Sequence, residues 1–262
     1  MKDPSLTARL VKSMAAAANI DISVKCQIGM FNSEDDLQTL NQEDYQYMTK
    51  YISMIHNAGT SHVILHTRPA ILSLSPVKNR VMPTLNYDFV NQIASDFRGK
   101  VKITMNGGIT SLHQLSSLQS NDKHSIYSHM AGRWCLRRPL DLAAVEQTLC
   151  KKAIQHPQKC IDSYMEYALA NQSKFSLAEV CLLLFLVVEQ LREDYDQEEE
   201  GVLLSRDDME SLYDSIQDGL KELGRDNMAS TDAVYFKQLA GLFKLLAETK
   251  VVNKWKRNRS EL

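Results

Sequence analysis

VKITMNGG, residues 101–108, decides how the chain is interpreted. It is predicted to be a β-strand that ends in a glycine turn, and Thr110 then opens a helical segment. Glycines let a backbone approach an anion, and N–H groups at a helix start then point at it, so Asn106, Gly107 and Gly108 suit a phosphate. A plain turn uses the same residues, and the turn at Gly132 and Arg133 after the next strand strengthens the phosphate interpretation.

The same strand–helix unit repeats from residue 20 onward. Strands are predicted over 20–29, 61–66, 101–108 and 125–133, and helices over 3–18, 34–58, 85–98, 110–119 and 139–154. This alternation predicts an α/β fold whose parallel strands are covered by helices. Only helices are predicted after residue 155, over 161–195, 206–224 and 232–257. The chain is therefore expected to form an α/β domain over 1–155 and an all-helical domain over 156–262.

Polar or glycine residues end each predicted strand. They are Lys25, His66, Asn106 with Gly107 and Gly108, and Gly132 with Arg133. In a β/α barrel such ends share one active-site face, so these residues are predicted to meet there. Lys25 is either an ordinary solvated lysine or a cation beside an electron-accepting ring.

The two histidines of the second strand are not expected to bind a metal. His62 and His66 lie four residues apart, roughly 13 Å along a strand. His66, at the strand end, is expected to donate a hydrogen bond to a ligand, and His62 to be structural.

Two basic segments suggest a polyanionic partner. The first is the proline-stiffened loop over 66–87, which carries Arg68, Lys78 and Arg80. The second surrounds Trp255 and includes Lys254, Lys256 and Arg257, a pattern that fits RNA. A solvated loop and a frayed charged tail are the alternatives.

The composition is that of an ordinary globular protein. The chain has 262 residues, 44% of them hydrophobic, and a net charge of −2, so nucleic-acid binding would have to come from local patches. Five cysteines without a C-x-x-C pair indicate a reducing compartment. No signal peptide and no apolar run long enough for a bilayer are recognised. A cytoplasmic protein is expected, although the alanine-rich start imitates an organelle-targeting helix.

Together these segments resemble the tRNA-dihydrouridine synthases, most closely the bacterial A-type subfamily. The family's VK-x-R-IG strand is similar to residues 24–29, and its HARKA…LSP…NR…P-x-L-x-Y block is similar to residues 66–87. Its NGGI turn matches residues 106–109, its GR turn matches 132–133, and its closing R-x-W-R-R helix is echoed at 254–257. The resemblance is strong over 1–140 and loose over 155–262.

The resemblance implies a β/α barrel followed by a helical tRNA-binding domain. It also implies an FMN-dependent enzyme that reduces uridine in tRNA with electrons from NADPH. The positions matching FMN-binding residues are Lys25, His66, Asn106, Gly107, Gly108, Gly132 and Arg133. Arg80 matches a tRNA-contacting position, and no metal is implied.

Two features of the family are not matched by this sequence. The family's first four strands are not matched, nor is the N-x-G-C-P loop whose cysteine gives a proton to the uracil. We therefore expect the second half of a TIM-type barrel, with four parallel strands, in a truncated chain without a catalytic cysteine.

Such a half-barrel would leave two open edges and an uncovered apolar interior, so self-association and poor FMN binding are expected. A non-catalytic RNA-binding remnant of the family is the alternative. A generic barrel enzyme for a phosphorylated metabolite would explain the glycine turns but not the basic segments.

Overall fold

The protein is described here from a computed structural model. It describes residues 1–33, 40–121, 125–151, 157–171, 173–176, 178–183 and a few isolated positions up to 241. Lys254, Lys256 and Arg257, and the helices predicted over 206–224 and 232–257, fall outside this part of the chain apart from isolated positions. Among the described residues, no helix combines the length and the hydropathy needed to cross a bilayer.

The described elements alternate between strands and helices. The strands are β1 (Ser23–Gln27), β2 (Met30–Phe31), β3 (His62–His66), β4 (Ala70–Ile71), β5 (Lys102–Asn106) and β6 (Ser128–Met130). The helices are α1 (Pro4–Ala17), α2 (Gln42–Asn57), α3 (Pro76–Asn79), α4 (Tyr87–Asp96), α5 (Leu112–Asn121), α6 (Arg133–Arg137), α7 (Asp141–Cys150) and α8 (Pro157–Ala170).

The chain divides into two compact units, Met1–Gly132 and Arg133–Leu262. All described strands lie in the first unit. The division by compactness falls earlier than the boundary predicted after residue 155, and the assignment of flavin and tRNA binding to the two segments stays a prediction.

The main sheet of the first unit is wholly parallel, as predicted. Its order is β1-β3-β5-β6, so each strand pairs with the next long strand along the chain. Parallel neighbours need a long crossover, and a helix crosses between each consecutive pair. β2 and β4 form a separate two-stranded parallel pair that the sequence analysis did not predict.

One face of this sheet forms the hydrophobic core. Val63 and Leu65 of β3 and Ile103 and Met105 of β5 are at most 1% exposed. They pack with apolar side chains of α2 and α4, among them Met48, Ile52, Ile55, Val90 and Ile93. Each such side chain stabilises the fold by about 1.5–3 kcal/mol. The apolar side chains that recur along the helices thus pack on the apolar side chains that alternate along the strands.

The opposite face of the sheet is mostly polar, and the expectation of an apolar interior was wrong. Because side chains alternate along a strand and aligned neighbours share a face, this face carries Lys25, Gln27, His62, His66, Thr104, Asn106 and Ser128. His62 Nε2 lies 2.7 Å from Thr104 Oγ1, which lies 2.6 Å from Ser128 Oγ. Ile64 and Met130 are the apolar residues of this face. The polar side chains form hydrogen bonds across the strands, and these replace the hydrogen bonds to water that are lost on folding.

Side-chain caps start the helices of the first unit. Asp3 caps α1 by accepting from the Leu6 N–H at 2.8 Å, with Pro4 in the first turn. Asn41 and Asp44 form a reciprocal capping box at α2. Asn86 caps α4 by accepting from the Phe89 N–H. These local signals fix where each helix begins after the preceding loop.

The second unit contains a buried polar cluster around Asp141. The Asp141 carboxylate accepts from Trp134 Nε1 at 2.8 Å, from Arg138 Nε at 2.9 Å and from Gln190 Nε2 at 2.8 Å. Gln190 is fully buried and also accepts from the Leu140 N–H. The cluster ties α6 and the start of α7 to the segment around residue 190.

The helix predicted over 161–195 is interrupted. α8 ends at Ala170, and residues 178–183 are helical again. Ser176 restarts the helix by a reciprocal cap with Glu179, whose carboxylate accepts from the Ser176 N–H at 2.8 Å. Ser and Asn favour such local bonds over helix continuation, and for this reason the polar stretch at 171–176 breaks the run.

Candidate functional site

The carboxyl ends of the strands align three of the predicted residues in one region. Gln27, His66, Asn106 and Met130 are successive register partners across β1, β3, β5 and β6. Lys25 Nζ donates to Asn106 Oδ1 at 2.8 Å, and Asn106 Nδ2 donates to the Met130 carbonyl at 2.7 Å. The Asn106 amide therefore joins the lysine of the first strand to the backbone of the last.

Lys25 is a cation in a partly desolvated position. Burial lowers the pKa of its ammonium, and the neighbouring Cys26 thiol opposes part of that shift. The Lys25 side chain is nevertheless exposed and donates to Asn106, so an anionic or electron-rich ligand can still approach its ammonium. The polar end of the sheet is thus chemically suited to stabilise negative charge.

Cys26 belongs to the other face of the sheet. It packs against the hydrophobic core, and burial raises the pKa of its thiol to about 12. A buried thiol on the helix-covered face stays protonated and does not share the polar face with Lys25. Cys26 therefore offers no counterpart to a cysteine placed over a ligand.

His66 is oriented by Gln27, a residue that the sequence analysis did not select. The His66 Nδ1 atom lies 2.6 Å from Gln27 Oε1. Nδ1 donates to that oxygen, and Nε2 of a neutral ring would then be an acceptor; the expectation that His66 donates to a ligand stays a prediction. The position of Gln27, two residues after Lys25 on one strand face, was the signal that could have found it.

Two glycines after β5 are required by their conformation and their surroundings. Gly107 has φ +119° and Gly108 has φ +74°. A Cβ on Gly107 would lie 2.9 Å from Thr67 Oγ1 and 3.1 Å from His66 Nε2. Side chains at these two positions would be strained and would collide with neighbouring residues, so the turn requires glycine.

The turn is held by hydrogen bonds to neighbouring segments. The Thr67 N–H donates to the Asn106 carbonyl at 2.8 Å, and the Tyr87 hydroxyl donates to the Gly107 carbonyl at 3.1 Å. These bonds connect the turns after β3 and β5, so they hold His66 and Asn106 at a fixed distance and orientation to one another.

Gly132 and Arg133 are placed differently from the other predicted residues. A Cβ on Gly132 would meet nothing within 4 Å, so no packing requires this glycine. Arg133 is exposed and begins α6, in the second unit. Its part in a common site with Lys25 and His66 stays a prediction.

The basic loop contains a short strand and a short helix that the sequence did not predict. β4 and α3 form inside it, and Ser75 caps α3 by accepting from the Lys78 N–H, with Pro76 in its first turn. Lys78 and Arg80 are exposed. Arg68 is half-buried and donates to the carbonyls of Val81 and Pro83, so it holds the loop from inside.

Within the described residues, no group of three or more His, Cys, Asp or Glu could hold a metal ion. His62, the other histidine of β3, contacts Thr104 and packs edge-on against Tyr127. The chemistry offered by the strand ends is therefore that of an ammonium, an amide, an imidazole and a glycine turn.

The family model and the similar proteins that match this chain all belong to one family. The model for dihydrouridine synthases (Dus) matches residues 1–179. A tRNA-dihydrouridine(20/20a) synthase of Shewanella oneidensis is 34% identical over 174 residues, 65% of this chain and 48% of that protein. A protein of the same name from Pseudomonas syringae pv. tomato is 38% identical over 151 residues, 57% of this chain and 40% of that protein.

A third relative, from Xanthomonas axonopodis pv. citri, carries the same name and is 30% identical over 169 residues. The chain spans about half the length of the relatives that it matches. The matched region covers the whole parallel sheet and its polar strand ends. The chain belongs to the dihydrouridine synthase family.

Proposed function

We propose that this chain carries the FMN-binding part of a tRNA-dihydrouridine synthase, which reduces the C5–C6 double bond of a uridine in tRNA with electrons from NADPH. The observation that carries the proposal is the alignment of Lys25, His66 and Asn106 at one end of the sheet. The relatives' names supply the substrate class. A cytoplasmic location accords with a tRNA substrate.

The residues present fit a flavin mononucleotide by their chemistry. FMN combines an electron-accepting ring with a phosphate tail, and when bound it supplies the hydride for the reduction. Lys25 would stabilise negative charge on the ring, and Asn106 holds the lysine in place. His66 would accept a hydrogen bond through Nε2. Gly107, Gly108, Gly132 and Arg133 would hold the phosphate.

The sheet order supports a place for this unit in a larger barrel. Four parallel strands that follow one another along the chain, with helices on one face, are the arrangement of a β/α barrel segment. The polar opposite face would then line the ligand side. We infer the second half of such a barrel, followed by a helical tRNA-binding segment that includes Lys254, Lys256 and Arg257.

The basic loop supports tRNA as the partner. Lys78 lies in α3 and Arg80 directly follows that helix end, and both are exposed. Neither forms an ion pair with another residue that the structure describes. Free cations on a fixed backbone are suited to phosphates. Arg68 would act by holding this loop, with Lys78 and Arg80 making the contacts.

A second candidate is an RNA-binding member of the family without redox activity. It is favoured by the partial burial of Cys26 on the core face, where its thiol does not share the polar face with Lys25. This protein would bind tRNA but transfer no hydride.

The decisive experiment titrates the full chain with FMN and compares Lys25→Met with Lys102→Met. Lys102 is an exposed lysine on the same sheet face but at the opposite strand end, beside Tyr127, so it is a matched control. We expect weak, saturable quenching of flavin fluorescence for the parent. Loss of a charged hydrogen bond should weaken binding roughly 10- to 100-fold in Lys25→Met only.

Equal binding by the two variants would show that the flavin does not occupy the strand ends. Dihydrouridine formation in tRNA with NADPH then separates the two candidate functions. Turnover supports the enzyme, and tRNA binding without turnover supports the RNA-binding member.

A further inference from the structure

We infer that Asn79 is a positioning residue that fixes the two cations next to it for contact with tRNA phosphates. The inference rests on the proposed tRNA-binding function and adds to it the residue on which the geometry of that surface depends. Asn79 stands between Lys78 and Arg80 at the end of α3.

The Asn79 side chain reproduces a strand-like pairing with the backbone of β4. Its Oδ1 accepts from the Ile71 N–H at 2.7 Å, and its Nδ2 donates to the Ile71 carbonyl at 2.7 Å. The same Nδ2 also donates to the Leu74 carbonyl at 3.0 Å. One amide thereby satisfies both backbone groups of a strand residue and a third group in the following turn.

The bonds of Asn79 tie the short helix to the buried part of the protein. Ile71 is fully buried, and its strand pairs with β2. Asn79 itself is half-buried, whereas Lys78 and Arg80 on either side are exposed. Since α3 spans only four residues and would not form alone, the amide contacts decide its position. The cations are therefore presented from a fixed backbone.

Fixed presentation matters because long cationic side chains lose entropy when they bind. A preorganised backbone leaves only the side-chain rotamers to be ordered on contact with the phosphates. A loop that fluctuates would have to be ordered as well, which would weaken binding without removing any charge. The loss of Asn79 is thus expected to act through Lys78 and Arg80.

The test is a double-mutant cycle on tRNA binding by the full chain. Asn79→Ala is compared with Lys78→Ala/Arg80→Ala and with the triple variant, using an unmodified tRNA transcript at several salt concentrations. We expect roughly tenfold weaker binding for Asn79→Ala with the salt dependence of the parent, because no charge is removed, and a smaller salt dependence for Lys78→Ala/Arg80→Ala. In the triple variant, loss of Asn79 should have almost no additional effect. Asn57→Ala, at an exposed position on α2, is the matched control.

The outcomes distinguish the inference from the proposed function. If the double lysine–arginine variant binds tRNA like the parent, or the parent does not bind, the proposed tRNA surface is wrong, and the role of Asn79 falls with it. If that variant is impaired but Asn79→Ala is not, only the inference is wrong. An equal loss on removing Asn79 in both backgrounds would indicate general destabilisation and would also overturn it.

Limited trypsin digestion tests the anchoring without RNA. Cleavage after Lys78 and Arg80 should be several-fold faster in Asn79→Ala, while cleavage after Lys50 in α2 should not change. Asn79→Asp should be at least as sensitive as Asn79→Ala, because its second oxygen would face the Ile71 and Leu74 carbonyls. Unchanged cleavage in both variants would overturn the anchoring.

Discussion

Two glycines, one before β5 and one after it, allow the cost of a positive φ to be distinguished from the cost of crowding by neighbouring side chains. Gly108 and Gly99 have almost the same φ, +74° and +75°. A Cβ on Gly108 would lie 2.5 Å from Leu85 Cδ1 and 2.6 Å from the Tyr87 hydroxyl, whereas a Cβ on Gly99 would meet nothing within 4 Å. The two positions are therefore a matched pair.

Alanine at Gly108 is expected to destabilise the protein more than alanine at Gly99. The positive φ alone costs about 1–2 kcal/mol at either position. At Gly108 crowding should add about 1–3 kcal/mol, since moving Tyr87 also strains its bond to the Gly107 carbonyl. Thermal unfolding followed by circular dichroism should show the larger drop for Gly108→Ala. Equal drops would mean that Leu85 and Tyr87 move aside without cost.

The sequence predicted the chemistry of the site residues better than their partners. Lys25, His66 and Asn106 could be selected because they end strands, and strand ends meet in a parallel sheet. Gln27 also ends its strand and could have been selected in this way, whereas Asn79 lies in the short helix of a loop and shows its role only through the atoms that it contacts. Arg68 looked equivalent to Lys78 in sequence, yet its guanidinium points to loop carbonyls.

Whole elements were predictable where many residues repeat one pattern. The four strands of the main sheet and α1, α2, α4 and α5 were located because apolar periodicity extends over a full strand or several turns. The predicted start of α2 at residue 34 was wrong, since the helix begins at Gln42 after its cap Asn41. β2 and β4 have two residues each and α3 has four, too few to show a period. The polar sheet face was missed because the apolar interior was expected from half-barrel geometry alone, without assigning the strand residues to the two faces.

Asp141 is the residue on which the first helices of the second unit depend. Its carboxylate is shared by Trp134, Arg138 and Gln190. In Asp141→Asn one acceptor oxygen becomes an amide that faces these donors, and Arg138 loses its counter-charge. Removing one partner of such a buried pair costs about 3–5 kcal/mol.

Urea unfolding followed by tryptophan fluorescence should therefore shift to a markedly lower midpoint in Asp141→Asn. Asp21→Asn, at an exposed aspartate, should leave the midpoint unchanged. A parent-like midpoint for Asp141→Asn would mean that these hydrogen bonds do not contribute to stability and that α6 and α7 are held by apolar packing alone.

At the scale of the molecule, the sheet and α1 leave surface that a second polypeptide can cover. Within the described part of the chain, β1 and β6 are edge strands of the parallel sheet. Leu6, Leu10 and Met14 follow one another at four-residue spacing on α1 and are 45%, 50% and 53% exposed. The polar sheet face does not drive association by itself, so the apolar stripe of α1 and the strand edge are the surfaces expected to do so.

We predict that the purified chain self-associates through this stripe. Sedimentation velocity should show dimers or larger species that increase with concentration, and Leu10→Lys/Met14→Lys should shift the distribution toward monomer, because burying two ammonium groups is unfavourable. Leu136→Lys/Leu142→Lys changes two leucines on α6 and α7 that are 66% and 47% exposed, and it should not shift the distribution. A monomer at every concentration, with one bound flavin per chain, would refute this prediction, since it would show that a sheet with two open edges is sufficient for the fold and the cofactor.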